Sequence, residues 1–144
     1  MRSDTAIGAL ATAALGDSVA VALRQLHIID RLPDVKWRGF DANRVTVSPE
    51  AYPFGIPDGI PASALYLTEL ALVALRRKSE LRPRRKKWID RLLVACVATG
   101  ALGAAYYAWQ MITVEKKACV YCIGAITANW AMVPLAWRIA RGRG

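Results

Sequence analysis

The sequence predicts an all-α membrane protein, a four-transmembrane-helix bundle with both termini cytoplasmic, and three observations carry this. Of 144 residues, 55% are hydrophobic, and that share is gathered into four near-continuous windows instead of being dispersed at the periods of a soluble fold. The windows, residues 6–23, 54–75, 92–114 and 118–137, each approach the ~20 residues that a helix needs to cross a ~30 Å hydrocarbon core. The Lys and Arg excess falls on alternate connections, as in a positive-inside protein. Too little chain is left over for a soluble enzyme, a secreted disulfide scaffold or a disordered segment. Nothing alternates over the ~10 residues of a membrane β-strand.

The first span, about residues 5–28, opens with Met1-Arg2 and an apolar stretch like that of a signal peptide. Its apolar run continues past Asp17 to Leu23 and three spans follow, so a retained helix is expected. Gly8, Thr12, Gly16 and Ala20 recur every four residues and predict a small-residue face for close helix packing. Residues 28–55 form an outer cap segment punctuated by Pro33, Gly39, Pro49 and Pro53. The second span, about 56–77, runs into a basic hairpin. The third, about 88–113, carries Gly100 and Ala104 as a further close-approach pair. Tyr106, Tyr107 and Trp109 near its outer end, with Trp88 and Trp137 near the inner ends, fit interfacial belts. A short outer turn at 114–117 leads into the last span, about 118–139. All of this makes one domain.

Net charge is +9, and its placement orients the bundle. Thirteen basic residues fall at the two termini and in the 76–91 hairpin, while the basic residues of the other side are diluted by Asp30, Asp34, Asp41, Glu50, Asp58 and Glu115. The hairpin is therefore expected inside, against anionic lipid of the bilayer. A nucleic-acid patch is the competing reading of such a run, but the lipid surface accounts for every charge, so no nucleic-acid partner is expected. Asp17 and Glu69 lie within apolar spans, where an ionisable group faces the bundle, another subunit or a proton path. The single histidine, His27, has no companions for a metal site, and none is expected.

The chemistry lies in the cysteines. Cys119-Val120-Tyr121-Cys122 is a CxxC at the outer mouth of the last span, and at i and i+3 of a helix the two sulfurs share a face. A helix N-terminus beside Lys116 and Lys117 favours a thiolate at Cys119. Cys122 lies ~4.5 Å deeper by the helical rise, nearer to lipid-soluble reactants. A disulfide between the two is expected on an oxidising side. A zinc site would need about four ligands, and the remaining cysteine, Cys96, begins the third span from the other side, so it reads as a packing residue. Two incidental membrane cysteines are the remaining alternative.

Tyr107-Ala-Trp109, the Cys119-Val-Tyr-Cys122-Ile run, Asn129, Trp137 and the basic tail resemble the last two helices of the vitamin K epoxide reductase family. Ser48-Pro-Glu-Ala-Tyr-Pro-Phe54-Gly55-Ile56-Pro57 resembles that family's serine-to-FGxP stretch, and together they cover most of the chain. The resemblance implies a four-helix bundle around a quinone, ubiquinone or menaquinone, in a cell inner membrane with the CxxC on the extracytoplasmic side. It implies that Cys122 reacts with the quinone and Cys119 exchanges electrons with thiols. Ser48, Phe54 and Asn129 are the implied quinone-site residues, Ser48 and Phe54 shaping the cap. The family's two relay cysteines, which by counting back fall at about Ala42 and near Lys36, are missing, since no cysteine precedes Cys96.

Two functions follow as expectations. One is a thiol–quinone oxidoreductase whose partner, an extracytoplasmic thiol protein or a stable membrane neighbour, reaches Cys119 directly. The other is a non-catalytic, quinone-binding or purely packing subunit of a larger respiratory or photosynthetic membrane complex.

Overall fold

A computed structural model describes residues 2–78 and 80–143, and Ser79 of the basic hairpin lies outside them. It consists of helices α1 (Ser3–Gln25), α2 (Ala42–Val45), α3 (Gly59–Arg76), α4 (Pro83–Gln110) and α5 (Val120–Ala140). Two 3₁₀ turns, Pro49–Ala51 and Pro53–Gly55, precede α3, and a π-turn, Met111–Glu115, extends α4. Among the described residues there is no strand, only an isolated bridge between Phe40 and Ala118. Four helices, α1, α3, α4 with its π-turn, and α5, are long and apolar enough to cross a membrane. α4 starts five residues before the expected 88, because Pro83 stands at its first turn, where the missing N–H costs nothing and φ is preset.

The helices pack in the cyclic order α1–α3–α4–α5, and the two halves of the ring differ. At the basic end Ile7, Ala11, Leu72, Val73, Ile89, Leu93, Met132, Ala136 and Ile139 fill the axis. Asp4 is buried there among Arg76 and Arg77 (both 3.6 Å), while Arg76 Nε also donates to Asp90 at 2.8 Å. These ion pairs join the ends of α1, α3 and α4. Toward the other end, Gly59, Ala62, Gly100, Gly103, Ala104 and Ala125 replace the large side chains, and interior packing that elsewhere excludes voids opens into a cavity.

The small-residue face expected on α1 packs only in part, a Cβ on Gly8 meeting Val73 at 3.6 Å. Ile7, Ala11, Ala14 and Ser18 form the buried stripe, whereas Thr12 and Gly16 face outward. A Cβ on Gly16 would touch nothing. Four-residue spacing alone does not tell which stripe of an all-apolar helix faces its neighbours. In α4 the expectation fits better, since Gly100 makes room for the Asn129 side chain of α5.

The cap is tied at both ends. Gln25, the last residue of α1, donates through Nε2 to Thr46 O, Ala51 O and Asp58 Oδ1 (3.1, 3.3 and 2.6 Å) and accepts from the Gly59 N–H at 3.1 Å. On the far side Asp41 N–H donates to Ala118 O (2.9 Å), Ala118 N–H to Gly39 O (2.7 Å) and Tyr121 O–H to Pro33 O (2.8 Å).

Candidate active site

Cys119 is the N-cap of α5. Its Sγ accepts from the Cys122 N–H at 3.3 Å, satisfying one of the donors that a helix start leaves open. The thiol is fully buried beneath Ala42 and Val45 of the cap helix. Its pKa is held below the ordinary thiol value by the Cys122 side chain first, and by the Cys122 and Tyr121 N–H groups, against burial, which pushes it up. Both CxxC sulfurs, and that of Cys96, are unbonded to another sulfur in this structure. Cys96 sits on α4, packed against the dense core.

Cys122, half-buried, touches the same cap cluster and also faces inward. It lines a cavity of about 350 Å³ with residues of all four long helices, within the size range of small-molecule sites. Its walls are mostly apolar, with a few polar groups: Asp17, Asp58, Tyr66, Tyr107 and Asn129. Tyr66 and Asn129 are buried and joined, Asn129 Nδ2 donating to Tyr66 Oη at 2.6 Å and to Ala125 O at 2.8 Å. Asn129 Oδ1 is buried with no hydrogen-bond partner among the described residues. Gly124 leaves room for Asp17, whose Oδ2 would lie 2.6 Å from a Cβ there.

A second chamber of about 30 Å³ lies under the cap. Thr46, Ser48, Glu50, Gln110 and Glu115 line it, and Val21, Asp58, Tyr107 and Cys122 border both spaces. Asp58 is held by Gln25, and the Tyr107 hydroxyl faces it from α4; burial pushes its carboxyl above the ordinary range, against the hydrogen bonds from Gln25, Tyr107 and the Gly59 N–H.

Of the residues singled out in the sequence, Cys122 and Asn129 thus meet at the large cavity. Cys119 abuts the cap, and Ser48 lines only the small chamber, its hydroxyl donating to Val45 O at 2.9 Å. Phe54 reaches neither space. Its ring is completely exposed, and what it contributes is backbone: Phe54 (φ 59°) and Gly55 (φ 77°) are both left-handed. This reversal lets the Asp58 N–H donate to Ala51 O at 3.0 Å and delivers Asp58 to Gln25. A bulky residue in that region stores of order 1–3 kcal/mol of strain. Tyr107, expected in an interfacial belt, lines the cavity instead, while Tyr106, Trp109, Trp88 and Trp137 are exposed as a belt requires. Asp58 and Gln25 carried no motif; the one signal was a carboxyl directly after the proline of Phe54-Gly-Ile-Pro57.

The sequence profile of the vitamin K epoxide reductase family matches residues 5–137. The chain belongs to that family, whose enzymes act with quinones, and is a multi-pass membrane protein. Comparison with curated proteins gives no match.

Proposed function

We propose that this member of the vitamin K epoxide reductase family is a thiol–quinone oxidoreductase of a cell inner membrane, with its CxxC on the extracytoplasmic side. One observation carries the reading: a single CxxC presents one sulfur to an apolar cavity among four helices and the other to the cap. The cavity suits a quinone headgroup. Tyr66 accepts its hydrogen bond from Asn129 and keeps its own O–H to donate to a carbonyl, while Asn129, its Oδ1 seated against Gly100, holds that hydroxyl in place. A bound quinone supplies an acceptor for two electrons and two protons. Cys119, the more acidic thiol at a helix N-terminus, is the sulfur that exchanges with a partner's thiol. Cys122 is the sulfur that faces the quinone. Oxidation of the pair closes a disulfide between i and i+3 of one helix start.

The test is a single turnover of the full chain, reduced in mild detergent and mixed without oxygen with a short-chain ubiquinone or menaquinone. Two thiols should disappear for each quinol formed, and Cys122→Ser should abolish the reaction. No quinol from the unaltered chain would refute the proposal.

A second reading, a quinone-binding subunit held in a larger membrane complex, is favoured by the complete burial of Cys119 under a cap that has no cysteine. Co-purification in mild detergent separates the two: a stoichiometric partner with bound quinone and inert thiols would favour the subunit.

A further inference from the structure

Three groups that can each carry a proton form the wall between the two internal spaces. Asp58 from the start of α3, Tyr107 from α4 and Cys122 from α5 border both the large cavity and the small chamber. The large cavity is mostly apolar and walled by the four long helices. The small one has polar side chains from the cap and the end of α4, including Glu50 and Glu115, and its 30 Å³ exceeds the ~10–15 Å³ that one water needs. The Asp58 carboxyl has one oxygen held by Gln25 Nε2 at 2.6 Å, an anchor that belongs to neither space.

We propose that Asp58 is the proton carrier of the site, exchanging protons with Cys122 on the cavity side and with water in the chamber under the cap. The proposal rests on the thiol–quinone reading and deepens it. The balance is as follows. With Cys119 as thiolate, formation of the Cys119–Cys122 disulfide breaks the Cys122 S–H bond and releases two electrons and one proton. A quinone becoming quinol takes two electrons and two protons. Asp58 accepts the Cys122 proton and returns it to the quinone, then carries a second one from the chamber, replacing the proton that Cys119 had already lost. Burial, which raises the Asp58 pKa, brings a carboxyl toward the range in which it both takes and gives protons near neutrality.

Other titratable groups face the same place. Asp17 from α1, Tyr66 from α3, Tyr107 from α4 and Tyr121 from α5 border the cavity; Glu50 and Glu115 border the chamber; Cys119 adjoins Cys122. Among the described carboxyls and phenols only Asp58 and Tyr107 touch both spaces, and of the two Asp58 is the one anchored by Gln25 at the cap, with burial moving its carboxyl up toward neutral pH.

The experiment uses the full chain in detergent and two readouts. Redox-difference infrared spectra of the CxxC, poised with dithiothreitol and its disulfide without quinone, should show a carboxylic C=O band that changes with the redox state and disappears in Asp58→Asn. In single turnover with a short-chain ubiquinone, Asp58→Asn should be about a hundredfold slower and lose the acid limb of the pH profile, with Asp58→Glu retaining that limb. Protection of Cys119 from alkylation should be the same in Asp58→Asn as in the unaltered chain, which a merely structural role would not leave unmoved. An infrared band indifferent to Asp58→Asn, or none at all, overturns the proton-carrier assignment. Quinol formation failing in every variant while the band behaves as stated would instead overturn the quinone reading alone.

Discussion

Access to Cys119 is controlled by opening of the cap, and the tethers allow the protection to be worked out. Three hydrogen bonds hold residues 33–41 to the start of α5: Asp41 N–H to Ala118 O, Ala118 N–H to Gly39 O, and Tyr121 O–H to Pro33 O. At a net of about 1 kcal/mol each, opening costs about 3 kcal/mol, so roughly one molecule in 150 is open at a given moment. The apolar contacts of Ala42 and Val45 with Cys119 add to this figure. Alkylation of Cys119 in the reduced chain should therefore run at least 10²-fold slower than that of an exposed thiolate. Tyr121→Phe removes one tether without touching the backbone, and should speed the reaction about fivefold. The measurement is the rate of iodoacetamide labelling at Cys119, resolved from Cys122 by peptide mass. Labelling at the free-thiol rate in the unaltered chain, or a rate indifferent to Tyr121→Phe, would refute the gate. Because the Cys119 pKa is lowered, its labelling should persist below the ordinary thiol range. By the same linkage the reduced fold gains stability with rising pH from the lowered value up to the ordinary thiol value, and loses it on acidification.

Ala42→Cys is expected to form a disulfide with Cys119 under mild oxidation in a Cys122→Ser background, since Ala42 packs directly on that sulfur; a mass-mapped peptide pair is the readout, and its absence counts against the cap geometry. In cells lacking their own membrane disulfide oxidase, the natural sequence should give no rescue and the Ala42→Cys, Lys36→Cys variant partial rescue. Arg76→Met removes the cation between Asp4 and Asp90 and should cost about 3 kcal/mol of stability, read from detergent denaturation, with Asp4→Asn recovering part; an unchanged midpoint would show the pair to be idle. Single cysteines at Arg38 and Glu80 should react with an impermeant reagent from opposite sides of the membrane, and reaction from one side would overturn the four-span topology.

The four spans were legible because twenty-residue apolar windows admit few other structures, and the CxxC stood out as a motif because two cysteines three apart are visible without any tertiary information. The packing stripe of α1 was not, since Gly8, Thr12 and Gly16 and the stripe of Ile7, Ala11 and Ala14 are equally apolar to the eye and only the neighbouring helices choose between them. Phe54 was legible as a motif position but not as a role; a left-handed φ is a backbone property that the side chain's size argues against. Asp58 and Tyr107 were invisible as a pair, because α3 and α4 meet only after the basic hairpin has folded back. Counting back from Ser48 lands at about Ala42, a residue packed with Cys119, and the cap is pinned nearby at Phe40 to the residue before Cys119.

The dense half of the bundle has an electrical consequence. Ile7, Leu93, Met132 and Ile139 close the axis at the basic end, whereas both CxxC sulfurs and both internal spaces lie beyond them. Driving one elementary charge through a full bilayer against 100 mV takes about 2.3 kcal/mol, and that work enters an equilibrium only if charge traverses the field. In the proposed reaction, electrons and protons traded between thiols, cavity and chamber would stay on one side of this plug. Turnover of that kind is electroneutral, and neither energising nor collapsing the membrane voltage shifts its poise.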